Sequence, residues 1–136
     1  MGGCGAGGNE WIGRGVVAIP SGAVGGYAEY AVAPAAMAFE MPPDMPEPDA
    51  AAIFMPFHLA WLAPYERARS QAGETRRVHA GAGGVGSAAI QLGVHAGARV
   101  LATAGSPEQT KLCRELGPDL GTNHRATART GRRPEP

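Results

Sequence analysis

Val78-His79-Ala80-Gly81-Ala82-Gly83-Gly84-Val85-Gly86-Ser87-Ala88-Ala89-Ile90-Gln91-Leu92 is the stretch on which the fold turns. It reads as the end of a strand, a glycine-rich turn and the start of a helix. The turn, Gly81 to Gly86, has the form G-x-G-x-x-G. After it, small and apolar residues recur at Val85, Ala88, Ala89, Leu92 and Ala96, the spacing of one helix face packed on a sheet. Gly97 closes that helix. Arg99-Val100-Leu101-Ala102-Thr103-Ala104 then reads as a second strand. A second helix starts from a Ser106 cap with Pro107 in its first position and Gln109 three residues on, the pattern of a capping box. Leu112, Cys113 and Leu116 are expected to line its inner face, and Gly117 to stop it. Asp119 to Asn123 is the third strand. The order β-α-β-α-β is half of a doubly wound α/β sheet.

Such a turn has a chemical use. Gly81 is expected to allow the tight exit from the strand, Gly83 to let backbone approach a pyrophosphate, and Gly86 to let the helix pack closely on the strand. Free N–H groups and the helix dipole at the start of the helix then face negative charge. Gly81, Ala82, Gly83, Gly84, Val85 and Gly86 are therefore the expected dinucleotide contacts. The end of the second strand selects among dinucleotides. An acid there would bond the ribose hydroxyls of NAD, and none lies between Val100 and Pro107. Thr103, Gly105 and Ser106, with Lys111 one turn into the next helix, suit a 2′-phosphate instead. NADP is expected over NAD, and Asn123 is placed near the adenine side.

Upstream, residues 1–15 are glycine-rich and expected to be frayed. Val16 to Ile19, ended by Pro20, and Tyr27 to Val32, preceded by a Gly25-Gly26 turn, read as strands. A linker rich in Pro and Asp leads to a helix capped by Asp49 over Ala50 to Phe54, which Pro56 should end or bend. A further helix is expected from Phe57 to about Ala68, kinked or broken at Pro64.

Several function classes are disfavoured by composition. The 12 Lys+Arg balance 12 Asp+Glu, which gives no electrostatic reason to expect nucleic acid or an anionic membrane. No apolar run approaches a membrane span. The start lacks the features of a signal peptide, and Ala6 stands where a myristoylation motif needs Ser or Thr. Cys4 and Cys113 are far apart, and His58, His79, His95 and His124 are scattered without metal-ligand spacing, so neither a disulfide framework nor a zinc site is expected. Reduced thiols and a cytoplasmic setting are the default.

Four segments together resemble the quinone oxidoreductase (zeta-crystallin-like) branch of the medium-chain dehydrogenase/reductase superfamily. They are Gly26-Tyr27-Ala28-Glu29-Tyr30, Ala80 to Leu92, Ala102-Thr103-Ala104-Gly105-Ser106 followed by Lys111, and Tyr65 to Ala68 with Ala72 to Thr75. The resemblance covers roughly residues 15–124. It implies a partial Rossmann domain, a βαβαβ half over residues 49–125 with lead-in helices. Before it, residues 16–48 would be the end of a GroES-like β-rich catalytic domain. It further implies direct hydride transfer from NADPH to a quinone or an activated alkene, no zinc, a small-molecule partner, and homodimers among full-length relatives. No general acid or base is named, because such transfer rests on positioning. The alternatives are a non-catalytic dinucleotide-binding fragment and a piece of a zinc-type alcohol dehydrogenase. Three departures stand out. Family members are more than twice as long. Arg76-Arg77 occupy what would be a costly buried strand. The basic tail over residues 126–136 matches nothing in the family, so the sequence reads as a truncated or frame-shifted copy.

Overall fold

The computed structural model describes residues 11–23 and 25–129. Cys4, most of the glycine-rich start and the tail from Thr130 onward lie outside them. The chain divides into two units, Met1–Phe54 and Met55–Pro136, and each is described by itself.

In the first unit, β1 (Val16–Ala18) pairs antiparallel with β2 (Ala38–Glu40), Val17 opposite Phe39. Arg14 Nη1 reaches Glu40 Oε1 at 2.9 Å beside this pair, and the rings of Phe39 and Phe54 lie 5.3 Å apart. The strand expected at Tyr27 to Val32 does not form. Those residues are turn and irregular backbone, with Tyr27, Tyr30 and Val32 exposed. Strand propensity measures how well a side chain fits a half-buried pleated surface, and among the described residues nothing covers these three side chains.

The helix α1 (Glu47–Trp61) begins earlier than the Asp49 cap implies. The Pro46 carbonyl accepts from both Asp49 and Ala50 N–H groups at 3.0 Å, so Asp49 lies in the first turn, where a negative charge is favourable. Pro56 does not end the helix, which continues through it to Trp61. Nor does Pro64 break the next segment. Leu62–Arg67 takes the wider π form, with Ala68 N–H donating to the Ala63 carbonyl at 3.0 Å and Ser70 N–H to the Pro64 carbonyl at 2.9 Å. The longer hydrogen-bond step accommodates a residue that has no N–H to give.

The second unit holds a three-stranded parallel sheet in the order β3-β4-β5: Thr75–Val78, Arg99–Ala104 and Leu120–Asn123. The helices α2 (Gly84–His95) and α3 (Pro107–Glu115) form the crossovers. Alternate residues of β4, Val100, Ala102 and Ala104, are buried with Ile90 of α2 and Cys113 of α3. Both helices therefore cover the same face of β4. Each large apolar side chain in this core contributes about 1.5–3 kcal/mol by leaving water.

The inner helix faces differ from the expected ones. On α2 the buried residues are Gly86, Ala88, Ile90 and Gly93, while Val85 is 43% exposed. On α3 they are Thr110 and Cys113, and Leu112 is 44% exposed. Close approach selects the small residues: a Cβ on Gly93 would lie 2.8 Å from Val100 Cγ2. Despite its glycine, the third strand forms, because Gly121 fits under Arg114, whose Nη2 donates to the Gly121 carbonyl at 3.3 Å. The two arginines of β3 fare differently, and Arg76 keeps part of the expected cost because its Nη2 is buried with no acceptor among the described residues. Arg77 is exposed and Arg76 is half-buried among partners.

Candidate functional site

Between β3 and α2 the backbone passes through Ala80, whose φ of 52° lies in the left-handed region. Gly81 needs no such freedom. It is bare for space, since a Cβ there would lie 2.7 Å from Cys113 Sγ and 3.0 Å from Ile90 Cδ1. The left-handed conformation costs an L-residue roughly 1–2 kcal/mol. Ala80→Gly should therefore stabilise the chain by about 1 kcal/mol, read as a higher denaturant midpoint; an unchanged or lower midpoint would contradict the turn geometry.

The Ala80 carbonyl accepts from Gly83 N–H at 2.9 Å, and Gly81 N–H donates to the Thr103 carbonyl at 2.9 Å, tying the loop to β4. Gly83 is the N-cap of α2, and no side chain caps the helix. The first amides of α2 consequently lack a side-chain acceptor, which leaves them suited to an anion. Gly86 is held against the strand end: a Cβ there would collide with the Ala80 carbonyl oxygen and lie 2.9 Å from Gly81 Cα.

At the carboxyl ends of the strands, His79, Ala80, Thr103, Gly105, Gln109, His124 and Arg125 line a cleft of about 560 Å³. His79 Nδ1 and Thr103 Oγ1 are 3.0 Å apart. Gly105 N–H donates to Gln109 Oε1 at 3.1 Å. Over the bare Cα of Gly105 three side chains converge. A Cβ there would stand 3.4 Å from Gln109 Oε1, 3.6 Å from Arg125 Nε and 3.6 Å from His124 Cε1. The cleft thus gathers two imidazoles, a guanidinium and an amide, and no carboxylate lines it among the described residues.

The residues expected at this end divide. Thr103 and Gly105 line the cleft. Ser106 caps α3, its Oγ accepting from Gln109 N–H at 3.2 Å. The same Ser106 side chain holds the Glu108 carboxyl below its ordinary range. Gln109 reaches back to Gly105, not to Ser106 as a capping box would have it. Lys111 is exposed, with Nζ 4.0 Å from Glu115 Oε1, and does not line the cleft. Asn123 Oδ1 accepts from the N–H groups of Arg125 and Ala126, which fixes the start of the short helix α4 (His124–Arg129). Sequence reasoning missed His79, Gln109, His124 and Arg125. His79 and His124 come directly after strand ends and Arg125 one residue further, and ligands of open α/β sheets gather outside the carboxyl ends of strands; that rule was the available signal.

No protein-family model matches the chain. Its sequence is similar to a phthioceranic/hydroxyphthioceranic acid synthase of Mycobacterium bovis, 42% identical over 83 residues, which is 61% of this chain and 4% of that protein. It is also similar to human quinone oxidoreductase, 39% identical over 101 residues, 74% of this chain and 31% of that one. Among solved structures, it resembles a quinone oxidoreductase from Thermus thermophilus, described also in complex with NADPH. The TM-score is 0.76 at 35% identity, covering 88% of this chain and 41% of that one. The chain spans under a third of the length of the human enzyme and a small part of the synthase.

Proposed function

The chain belongs to the quinone oxidoreductase branch of the medium-chain dehydrogenase/reductases, of which it spans a part, and from that premise we propose that it binds NADPH for hydride transfer to a quinone or an activated alkene. Quinones and enones share the chemistry the reading needs, an electron-poor carbon conjugated to a carbonyl. The observation that carries it is the pairing of a bare, uncapped helix start at Gly83–Gly86 with a cationic cleft at the next strand ends. These residues fit the dinucleotide: amides and the α2 dipole for the pyrophosphate, Thr103 and Gly105 for the ribose, and Arg125 with His124 for the 2′-phosphate.

Bound NADPH would supply the hydride. The chain's own part is to hold the dinucleotide by its phosphates and fix its reach. In this reading transfer is direct and needs no zinc; about one tightly held zinc in purified protein would overturn that clause. Residues 49–125 are the Rossmann half and residues 16–48 the close of a GroES-like catalytic domain. No described helix is long and apolar enough to cross a membrane. A cytoplasmic location belongs to the same proposal, as does a homodimeric state for the full-length relatives, the latter checked by sedimentation.

Parallel titrations with NADPH and NADH test the reading, NADPH binding tighter. Folded chain that ignores both at millimolar levels would end it, whereas binding without NADPH oxidation by a quinone would leave only the non-catalytic form. Arg125→Gln should weaken NADPH about tenfold, the size of a lost charge-assisted bond, and leave NADH unchanged. Equal losses for both nucleotides would remove Arg125 from the 2′-phosphate.

A further inference from the structure

Thr103 is held from two sides at the meeting of two strand ends. Its carbonyl accepts from Gly81 N–H at 2.9 Å, and its Oγ1 lies 3.0 Å from Nδ1 of His79. His79 is the first residue beyond β3, and the parallel register that sets Val78 beside Ala102 brings it level with Thr103. The main chain of Thr103 is thereby fixed. What stays free is the direction of its hydroxyl proton.

A hydroxyl has one proton to give and two lone pairs to offer, and the ring beside it decides which faces the cleft. A protonated imidazole carries N–H at both nitrogens, so Nδ1 donates to Oγ1 and the Thr103 proton turns outward as a donor. A neutral ring with its proton on Nε2 accepts from Oγ1 instead, and Thr103 then shows the cleft only lone pairs. The neutral ring becomes a donor by moving its proton to Nδ1, but it then donates without the strength that charge adds. A 2′-phosphate has only acceptor oxygens and needs the outward donor. The 2′-hydroxyl of NADH is served by either arrangement, because it gives a proton as readily as it accepts one. Few other titratable groups surround the ring. His124 and Arg125 share its cleft, to which β4 and α3 add Thr103, Gly105 and Gln109. Toward Pro64 the wall carries Glu74, Arg76 and Arg77, and Glu74 is engaged by Ser70 Oγ and Gln71 N–H. Among the described residues no carboxylate forms an ion pair with the ring.

We propose, resting on the NADPH reading above, that His79 is a positioning residue for cofactor choice: its protonated ring turns the Thr103 hydroxyl into a donor for the 2′-phosphate. NADPH then binds together with a proton taken from solvent, and NADH does not. Histidine exchanges its proton across the physiological range. A group that gains a proton on binding strengthens that binding as pH falls. Preference for NADPH over NADH therefore grows on mild acidification.

The test titrates the full chain with NADPH and with NADH, followed by nicotinamide fluorescence, at about pH 8 and about pH 6.5. In the native chain the ratio of the two affinities should shift toward NADPH by about fourfold on acidification, the linkage of one charge-assisted bond made only by the protonated ring. Thr103→Val keeps the side-chain shape and removes the hydroxyl. His79→Asn places a polar group that does not titrate at an exposed position. In both variants the shift should shrink to about twofold or less, the share left to His124. Should Thr103→Val not fold, His79→Asn decides alone. A native ratio that is the same at both pH values would overturn the inference and leave the NADPH reading standing. So would a full shift retained in Thr103→Val, where the ring could act only as a bare charge, or in His79→Asn. A folded chain that binds neither nucleotide would end both.

Discussion

Gly86→Ala destabilises the folded chain by about 3 kcal/mol and lowers its melting temperature by roughly 10 °C. In an ordinary helix interior the same change would stabilise by up to about 1 kcal/mol, because alanine is the better helix former. The sign reverses here because the added carbon would overlap the Ala80 carbonyl and press on Gly81 Cα. Both neighbours are backbone, and neither can rotate away. Relief requires α2 to lift from the end of β3, which opens the packing of Ile90 against Val100 and Ala102. Thermal unfolding followed by circular dichroism measures the effect. An unchanged midpoint would mean that the helix is not pressed against the strand.

Gly83→Val abolishes dinucleotide binding, lowering affinity for NADPH and NADH alike by about a hundredfold or more, with the fold retained. Gly83 has φ −83° and ψ 166°, extended backbone that any residue adopts. Its Cβ would lie 3.3 Å from the Ala80 oxygen, a squeeze of a few tenths of an ångström. The cost to folding is accordingly small. The branched side chain instead projects at the mouth of α2, where a pyrophosphate must come within hydrogen-bond distance of bare amides. The two glycines thus separate by readout, one by melting and the other by titration. Retained affinity in a folded Gly83→Val chain would remove the loop from the binding site.

What could be read in advance was local. β4 spans Arg99–Ala104 as the apolar run implies, and α3 starts at Pro107 after a Ser106 cap because one side chain and one ring determine that start. Gly97 and Gly117 end their helices with positive φ, a requirement visible in the residue itself. What could not be read was distant. Tyr27 to Val32 has strand-forming residues, but a strand also needs a neighbour. Pro56 and Pro64 look like breaks in one dimension, yet the chain absorbs them by continuing and by widening its turn. The left-handed residue in the glycine-rich turn is Ala80, while glycine at position 81 answers a need for space. His124 and Arg125 joined the cleft only once β5 had paired with β4 and Asn123 had fixed the start of α4.

The space beside the Gly81 Cα is filled by Cys113 and Ile90. Positions 81 and 113 therefore draw on one allotment of volume although they lie on different elements. A descendant carrying a side chain at 81 would need a hollow at 113, and one that enlarged 113 would be bound to keep 81 bare. Drift at either position is thus conditional on the other, and the history of the glycine-rich turn is partly written on the far helix.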